Sequence, residues 1–276
     1  MKFSIDIVAD YGGKTGFFDL AFAEVKNKIA TIMQQNDLDH SVMSCLSVNA
    51  FNTIETGFII AQLGLNSTLK QHIIYHNTAP RKDNSEKRKA NDGEGLAMTL
   101  LPNGVLIVGV FAGYTFSFLK NIAPVYRLNC ENIGSQFRSR DTFPQAMIGI
   151  AKEVYIDGLK DLSQSKNCLG LIGSIPDIHD NTILYIDGYG NIKTSLPASI
   201  LNEQRAIKII INETAHNIYV SKDGIFGTED GNMVVAKGSS GWLSVENTRF
   251  LEISLRGGNA CEAFNYPKPG DKIIFT

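Results

Sequence analysis

The chain lacks the features that most readily assign a protein to a special class. Of its 276 residues, 26 are Lys or Arg and 28 are Asp or Glu, a formal net charge of -2. A balance so close to neutral leaves no basic field for DNA or RNA, so no nucleic-acid partner is expected. No run approaches the roughly 18 apolar residues that a membrane-spanning helix needs, so no membrane partner is expected either. The start, Met1 to Asp6, reaches Asp10 and two glycines before an apolar stretch of signal-peptide length can form, and a cytoplasmic location is expected. Cysteine is sparse: Cys45, Cys130, Cys168 and Cys261 stand far apart, without the short spacing of a zinc site or redox pair. They read as buried free thiols, and no metal centre is expected. There is no internal repeat and no low-complexity tract.

What remains is an ordinary globular composition, 43% hydrophobic and 20% charged, at a length that suggests two cores. Ser4 to Val8 is a short apolar strand ending at Asp10-Tyr11-Gly12-Gly13, and from Asp19 to Gln35 apolar residues recur at helical spacing. Strands are expected at 44–48, 72–75 and 105–111, and helices at 54–63 and 142–160, the last with Asp141 as its cap. Alternation of strand and helix predicts an α/β domain with a mostly parallel sheet over residues 1–162. A polar stretch, 163–181, reads as a linker. Short strands then recur over 182–276 (182–186, 206–211, 216–220, 232–236, 250–255 and 272–275), which predicts a β-barrel-like domain.

Candidate chemistry clusters in a few places. Asp10 follows the first strand at the carboxyl edge of the expected sheet, where open α/β folds bind ligands. It reads either as a carboxylate for ribose hydroxyls or as a turn residue accepting backbone amides. Further on stand Tyr75-His76-Asn77-Thr78-Ala79-Pro80 and Gln136-Phe137-Arg138-Ser139-Arg140-Asp141. Strand alternation puts His76 and Asn77 on opposite faces. Between these boxes a charged run from Arg81 to Lys89 reads as a solvated loop or as a cationic lip over an anionic ligand. The segment from Asp187 to Asn191, Asp-Gly-Tyr-Gly-Asn, has the letters of a hairpin turn and equally of an aromatic base-stacking surface. Leu251-Glu252-Ile253 through Gly258-Asn259-Ala260 reads as a core strand and a tight turn.

In their order these boxes make the chain resemble the S-adenosyl-L-methionine hydroxide adenosyltransferases, relatives of the S-adenosylmethionine-dependent fluorinases and chlorinases. It looks like a divergent member. Asp10-Tyr11-Gly12 matches a family box reading Asp-Phe-Gly, and Asp19 matches the aspartate that follows it. The resemblance implies ribose binding by Asp10, methionine-amine binding by Asp19, and ligand contacts by Phe137, Asp187, Tyr189, Asn191 and Asn247. It places the candidate catalytic group at Asn77, Arg138, Ser139 and an arginine, Arg88 or Arg81. Asn77 stands where the family has an acidic residue and Arg138 where it has histidine. An amide and a permanent cation cannot take a proton from water as a carboxylate with imidazole does. Ser139 matches the serine with which fluorinases hold halide, and also has the position of a helix cap. The implied fold is an α/β domain followed by a β-barrel-like domain in a homotrimer, with the ligand held between neighbouring subunits. The implied reaction is attack of water or hydroxide on ribose C5′, giving adenosine and methionine. S-adenosyl-L-methionine would be substrate or ligand, with no other cofactor. The alternative is a non-catalytic protein that binds or senses an adenosyl ligand.

Overall fold

The computed structural model describes residues 2–12, 19–81, 93–131, 133–202, 206–242 and 248–275. The chain divides into two compact units, Met1–Pro176 and Asp177–Thr276.

In the first unit the elements run β1 (Lys2–Ala9), α1 (Leu20–Gln35), β2 (Asp39–Ser47), α2 (Thr53–Leu65), β3 (His72–Asn77), β4 (Leu96–Leu100), β5 (Leu106–Val110), β6 (Tyr126–Leu128), α3 (Arg138–Asp141), α4 (Phe143–Tyr155) and β7 (Cys168–Leu171). The sheet has the order β2-β1-β3-β5-β4-β6-β7. Strands β2, β1, β3 and β5 are parallel, and from β5 onward each pairing is antiparallel. The change has a local cause: β4 and β5 are joined by a tight turn in which Leu101 donates to the Val105 carbonyl at 2.9 Å, and so short a connection permits only antiparallel strands. Residues 163–181, expected as a linker, include β7, which hydrogen-bonds to β6 at the edge of this sheet.

Strand alternation sends Phe3, Ile5, Ile7, Ala9, Ile73 and Tyr75 to one face of the sheet. There they meet Phe22, Val25, Ile29 and Ile32 of α1, spaced as one helical face, and Met147, Ile150, Ala151 and Val154 of α4. Full burial of a side chain such as Phe22 contributes roughly 2–3 kcal/mol. Helix α1 begins where Asp19 accepts the Ala21 amide at 2.9 Å, and α2 where Asn52 accepts from Glu55 at 2.9 Å. The Glu55 carboxylate reaches back to the Asn49 amide at 2.7 Å, so the entry to α2 is fixed from both sides.

Helix α4 differs from expectation at both ends. Asp141 does not cap it, because its carboxylate is taken by Ser135 and Arg140. The helix stops at Tyr155, short of Lys160.

The second unit holds β8 (Ile183–Ile186), β9 (Ile192–Thr194), β10 (Ala206–Ile211), β11 (Thr214–Val220), β12 (Met233–Trp242), β13 (Thr248–Leu255), α5 (Ala260–Ala263) and β14 (Ile273–Phe275). Their sheet has the order β14-β10-β11-β12-β13-β9-β8. Its two ends meet: Thr182 bridges Lys272, and Ile273 donates to the Asn181 carbonyl at 2.7 Å. The result is a nearly closed, barrel-shaped sheet around Ile183, Ile209, Ile211, Ile218, Val235, Ile253 and Phe264. The β10–β11 hairpin turns on Asn212 and Glu213, both at positive φ (47° and 67°), the backbone that a two-residue turn between twisted strands requires.

Candidate functional site

Two parallel strands end side by side in the first unit. Ala9, the last residue of β1, is in register with Asn77, the last of β3, and the Asp10 amide donates to the Asn77 carbonyl at 3.3 Å. This is the carboxyl edge of the parallel part of the sheet, and it carries Asp10, Tyr11 and Asn77 together. Asp10 Oδ2 accepts the Phe51 amide at 2.9 Å. Burial raises the Asp10 carboxyl; the hydrogen bonds from backbone amides and the charge of Arg81 offset this only in part, so the group stays above its ordinary value.

Over this edge lies α3. Ser139 is buried, and its carbonyl accepts the Tyr75 hydroxyl at 2.9 Å. It makes no cap for α4, which has no side-chain cap hydrogen bond. The Tyr11 ring is clamped edge-on by Phe22, at 5.0 Å between centroids, and by Phe137, at 5.7 Å. The structure thus gathers Asp10, Asn77, Phe137 and Ser139, with Tyr11 and Tyr75 among them.

Arg138 behaves differently. Its Nη2 donates to the Glu94 carbonyl at 2.6 Å, and its guanidinium lies 4.9 Å over the Phe143 ring. A side chain at Gly93 would collide with it, since a Cβ there would stand 2.7 Å from Nη2. Arg140 bridges Glu24 at 3.0 Å and Asp141 at 2.7 Å, and the Arg140 and Ser135 contacts hold the Asp141 carboxyl down at about 2. Asp19 is exposed and serves α1 as its cap. Arg88 and Asn247 lie outside the described residues.

His76 points to the other face of the sheet, as alternation requires. Its ring packs on Phe116 at 5.1 Å between centroids and fills the space left by Gly109, where a Cβ would come within 2.2 Å of it. The side chain is wholly buried, and among the described residues neither ring nitrogen has a partner. Burial lowers its pKa to about 3, so the ring is neutral and remote from the strand-edge cluster.

In the second unit, Asp187–Asn191 is the turn between β8 and β9. Asp187 Oδ1 accepts the amides of Tyr189 (2.9 Å) and Asn191 (3.0 Å), while Oδ2 accepts Asn191 Nδ2 (3.0 Å) and Lys193 Nζ (3.2 Å). These four contacts match the four lone-pair directions of a carboxylate. Burial alone would raise Asp187, but the Asn191 and Lys193 contacts outweigh it and hold the group below its usual value. Lys193 is buried and also pairs with Glu252 at 2.9 Å. Glu252 Oε1 in turn accepts the Ser239 amide at 2.9 Å, where β12 bulges between Lys237 and Gly241.

Gly190, at φ 82°, sits so close to Asn259 that a Cβ would fall 1.9 Å from its Oδ1, and its carbonyl accepts from Cys261 at 3.0 Å. The two most distinctive sequence boxes of this unit are therefore in contact. Tyr189 stands out from the turn, 83% exposed, with its ring available for stacking. Lys193 escaped the sequence reading because its second partner, Glu252, is distant in the chain and a lone lysine in a strand carries no motif.

Residues 181–274 match the family model for the SAM hydroxide adenosyltransferase C-terminal domain. The match spans nearly the whole second unit, which is thus similar to the C-terminal domain of that family. Among solved structures, the chain is similar to an uncharacterized conserved protein from Thermotoga maritima, with a TM-score of 0.68, 16% identity, and 99% and 100% of the two chains covered. It is also similar to a conserved hypothetical protein from Thermus thermophilus, with a TM-score of 0.62, 15% identity and 100% of both chains covered. At such identities the likeness is one of fold. No curated protein matches. Among the described residues no helix is long and apolar enough to cross a membrane, and no group of three or more His, Cys, Asp and Glu could hold a metal ion.

Proposed function

We propose that this protein binds S-adenosyl-L-methionine and cleaves it slowly to adenosine and methionine. The family match of residues 181–274, which includes the Asp187–Asn191 turn, carries the reading. Asp10 takes the ribose hydroxyls and Asn77 and Ser139 orient water, while Tyr189 of a neighbouring subunit of the implied trimer stacks on the adenine. The water oxygen attacks C5′, the C5′–sulfur bond breaks with its electron pair going to sulfur, and the water proton passes to solvent. Sulfonium is a good leaving group, so the step needs alignment more than acid catalysis. At the strand edge the Asp10 carboxylate is taken by the Phe51 amide and, in this reading, by the ribose; Asn77 is an amide, and His76 is neutral on the opposite face. Hydrolysis is therefore slow. The chain assembles as a homotrimer, as the family resemblance implies; light scattering that found a ligand-binding monomer would remove that part.

One observation favours a second reading, a non-catalytic adenosyl-ligand sensor. Arg138, at the family's histidine position, is committed to Glu94 and Phe143 and not to the strand edge. Purified protein incubated with S-adenosylmethionine, followed by chromatography for adenosine and methionine and by calorimetry for binding, separates the two. Binding with turnover supports the hydrolase and binding without turnover the sensor. The absence of binding refutes both.

A further inference from the structure

The strand-edge cluster contains one polar group for which no described residue is a hydrogen-bond partner. The Tyr11 hydroxyl is buried and, among the described residues, makes no hydrogen bond of ordinary geometry. Its polar neighbours are the side chains of Ser139, Tyr75 and Asn77. Tyr75 donates its own proton to the Ser139 carbonyl at 2.9 Å, and its oxygen, free to accept, does not meet the Tyr11 hydroxyl in hydrogen-bond geometry. A buried hydroxyl without a partner is destabilising, and such groups are ordinarily satisfied by protein, water or ligand.

The orphan is not the product of a loose ring. Phe22 and Phe137 hold the Tyr11 ring from two sides, at interplanar angles of 69° and 87°. The backbone is fixed as well, because Tyr11 follows Asp10, whose amide and carboxylate are tied to Asn77 and Phe51. Packing therefore aims the hydroxyl among Asn77 and Ser139 and leaves it unsatisfied. Burial also pushes the phenol above its ordinary pKa. The group is an intact hydroxyl at neutral pH and serves as donor or acceptor, not as a base.

We propose that the Tyr11 hydroxyl is the ligand contact on the nucleophile side of ribose C5′, hydrogen-bonding the oxygen found there. This rests on the adenosyl-ligand reading above. Before reaction that oxygen belongs to the attacking water; afterwards it is the 5′-hydroxyl of adenosine. Asn77 and Ser139 complete an uncharged cradle, suited to a neutral oxygen nucleophile. Tyr11 acts on that oxygen directly, and its ring contributes packing that phenylalanine would reproduce.

The consequence is a preference readable without turnover. Adenosine has the 5′-oxygen and 5′-deoxyadenosine lacks it, so wild-type protein should bind adenosine about tenfold more tightly, the worth of one buried hydrogen bond. Tyr11→Phe should lose most of this preference, the Asn77 and Ser139 contacts accounting for the remainder, while retaining the wild-type affinity for 5′-deoxyadenosine. Calorimetric titration of both proteins with both nucleosides gives the four affinities. A wild type that does not distinguish them, or a Tyr11→Phe protein that keeps the preference, overturns the assignment of Tyr11 and leaves adenosyl binding standing. If neither nucleoside nor S-adenosylmethionine binds wild type, the functional reading fails and the inference with it. A melting transition of Tyr11→Phe close to that of wild type would show that any change in preference is not a loss of fold.

Discussion

His76 gives the first unit an acid sensitivity that can be worked out from its surroundings. The ring is wholly buried, faces Phe116 and Gly109, has no hydrogen bond at either nitrogen among the described residues, and titrates at about 3 in the folded chain against 6.5 ordinarily. Below pH 6.5 the unfolded chain takes up a proton at this position, while the folded chain does not until about pH 3. Stability from this group is therefore lost as pH falls through that window. For the step from pH 7 to pH 5 the loss is about 2 kcal/mol.

Asp10 and Glu55, both raised by burial, act in the opposite direction. The measurement must accordingly be a difference between wild type and His76→Leu, in which their contributions cancel. Urea unfolding followed by circular dichroism at the two pH values should show the variant losing about 2 kcal/mol less than wild type. At neutral pH the variant should be no less stable, because it removes two buried nitrogens that lack partners. The chain's one tryptophan, Trp242, lies in β12 of the second unit, so its fluorescence reports on a region without this substitution. Equal pH dependence in both proteins would refute the reasoning, since it would mean that the folded chain already protonates His76 or opens to water around it.

Two further outcomes follow from the sites. Lys193→Met leaves Asp187 and Glu252 without their shared cation and should lower the stability of the second unit by roughly 3 kcal/mol, read from the urea midpoint of Trp242 fluorescence; an unchanged midpoint would show that solvent already screens the pair. Asp10→Asn should keep the turn at Phe51 but abolish the rise in melting temperature caused by adenosine. A rise of wild-type size would make Asp10 a turn residue only.

The parts of this fold that were legible in the sequence are those with a period to read. Helix α1 shows its buried face as Phe22, Val25, Ile29 and Ile32, and β1 shows its own as alternate residues from Phe3 to Ala9. Strands β6 and β9 span three residues each, too few to display any period, and they exist because a neighbouring strand offers hydrogen bonds. Strand β2 begins at Asp39 through a polar stretch that hydrophobicity cannot mark, since pairing to β1 decides it.

At the candidate site the same division holds. Alternation correctly separated His76 from Asn77, and local turn chemistry accounts for Asp19 and Asp187 as acceptors of nearby amides, whereas the amide that Asp10 accepts, that of Phe51, is distant in the chain. The direction of Arg138 toward Glu94, the salt-bridged Lys193 and the unpartnered Tyr11 hydroxyl depend on contacts across long stretches of chain. Arg138 and Tyr11 left a trace in the sequence only as departures from a family letter, histidine and phenylalanine, and Lys193 left none.

The closing of the second sheet also bears on the order in which the protein is made. Thr182 and Ile183 at one end of that unit's sequence meet Asp271, Lys272 and Ile273 at the other, so the barrel cannot close until its last strand has left the ribosome. The parallel strands of the first unit, β2, β1, β3 and β5, are all complete by Val110 and can pair while the rest is still being translated. Until β14 arrives, β10 and β8 each present an unpaired edge, an invitation to pair with another nascent chain. The nascent protein is thus most exposed to misassembly in the interval between synthesis of β8 and release of β14, and an interruption of translation there would leave a folded first unit joined to an open sheet.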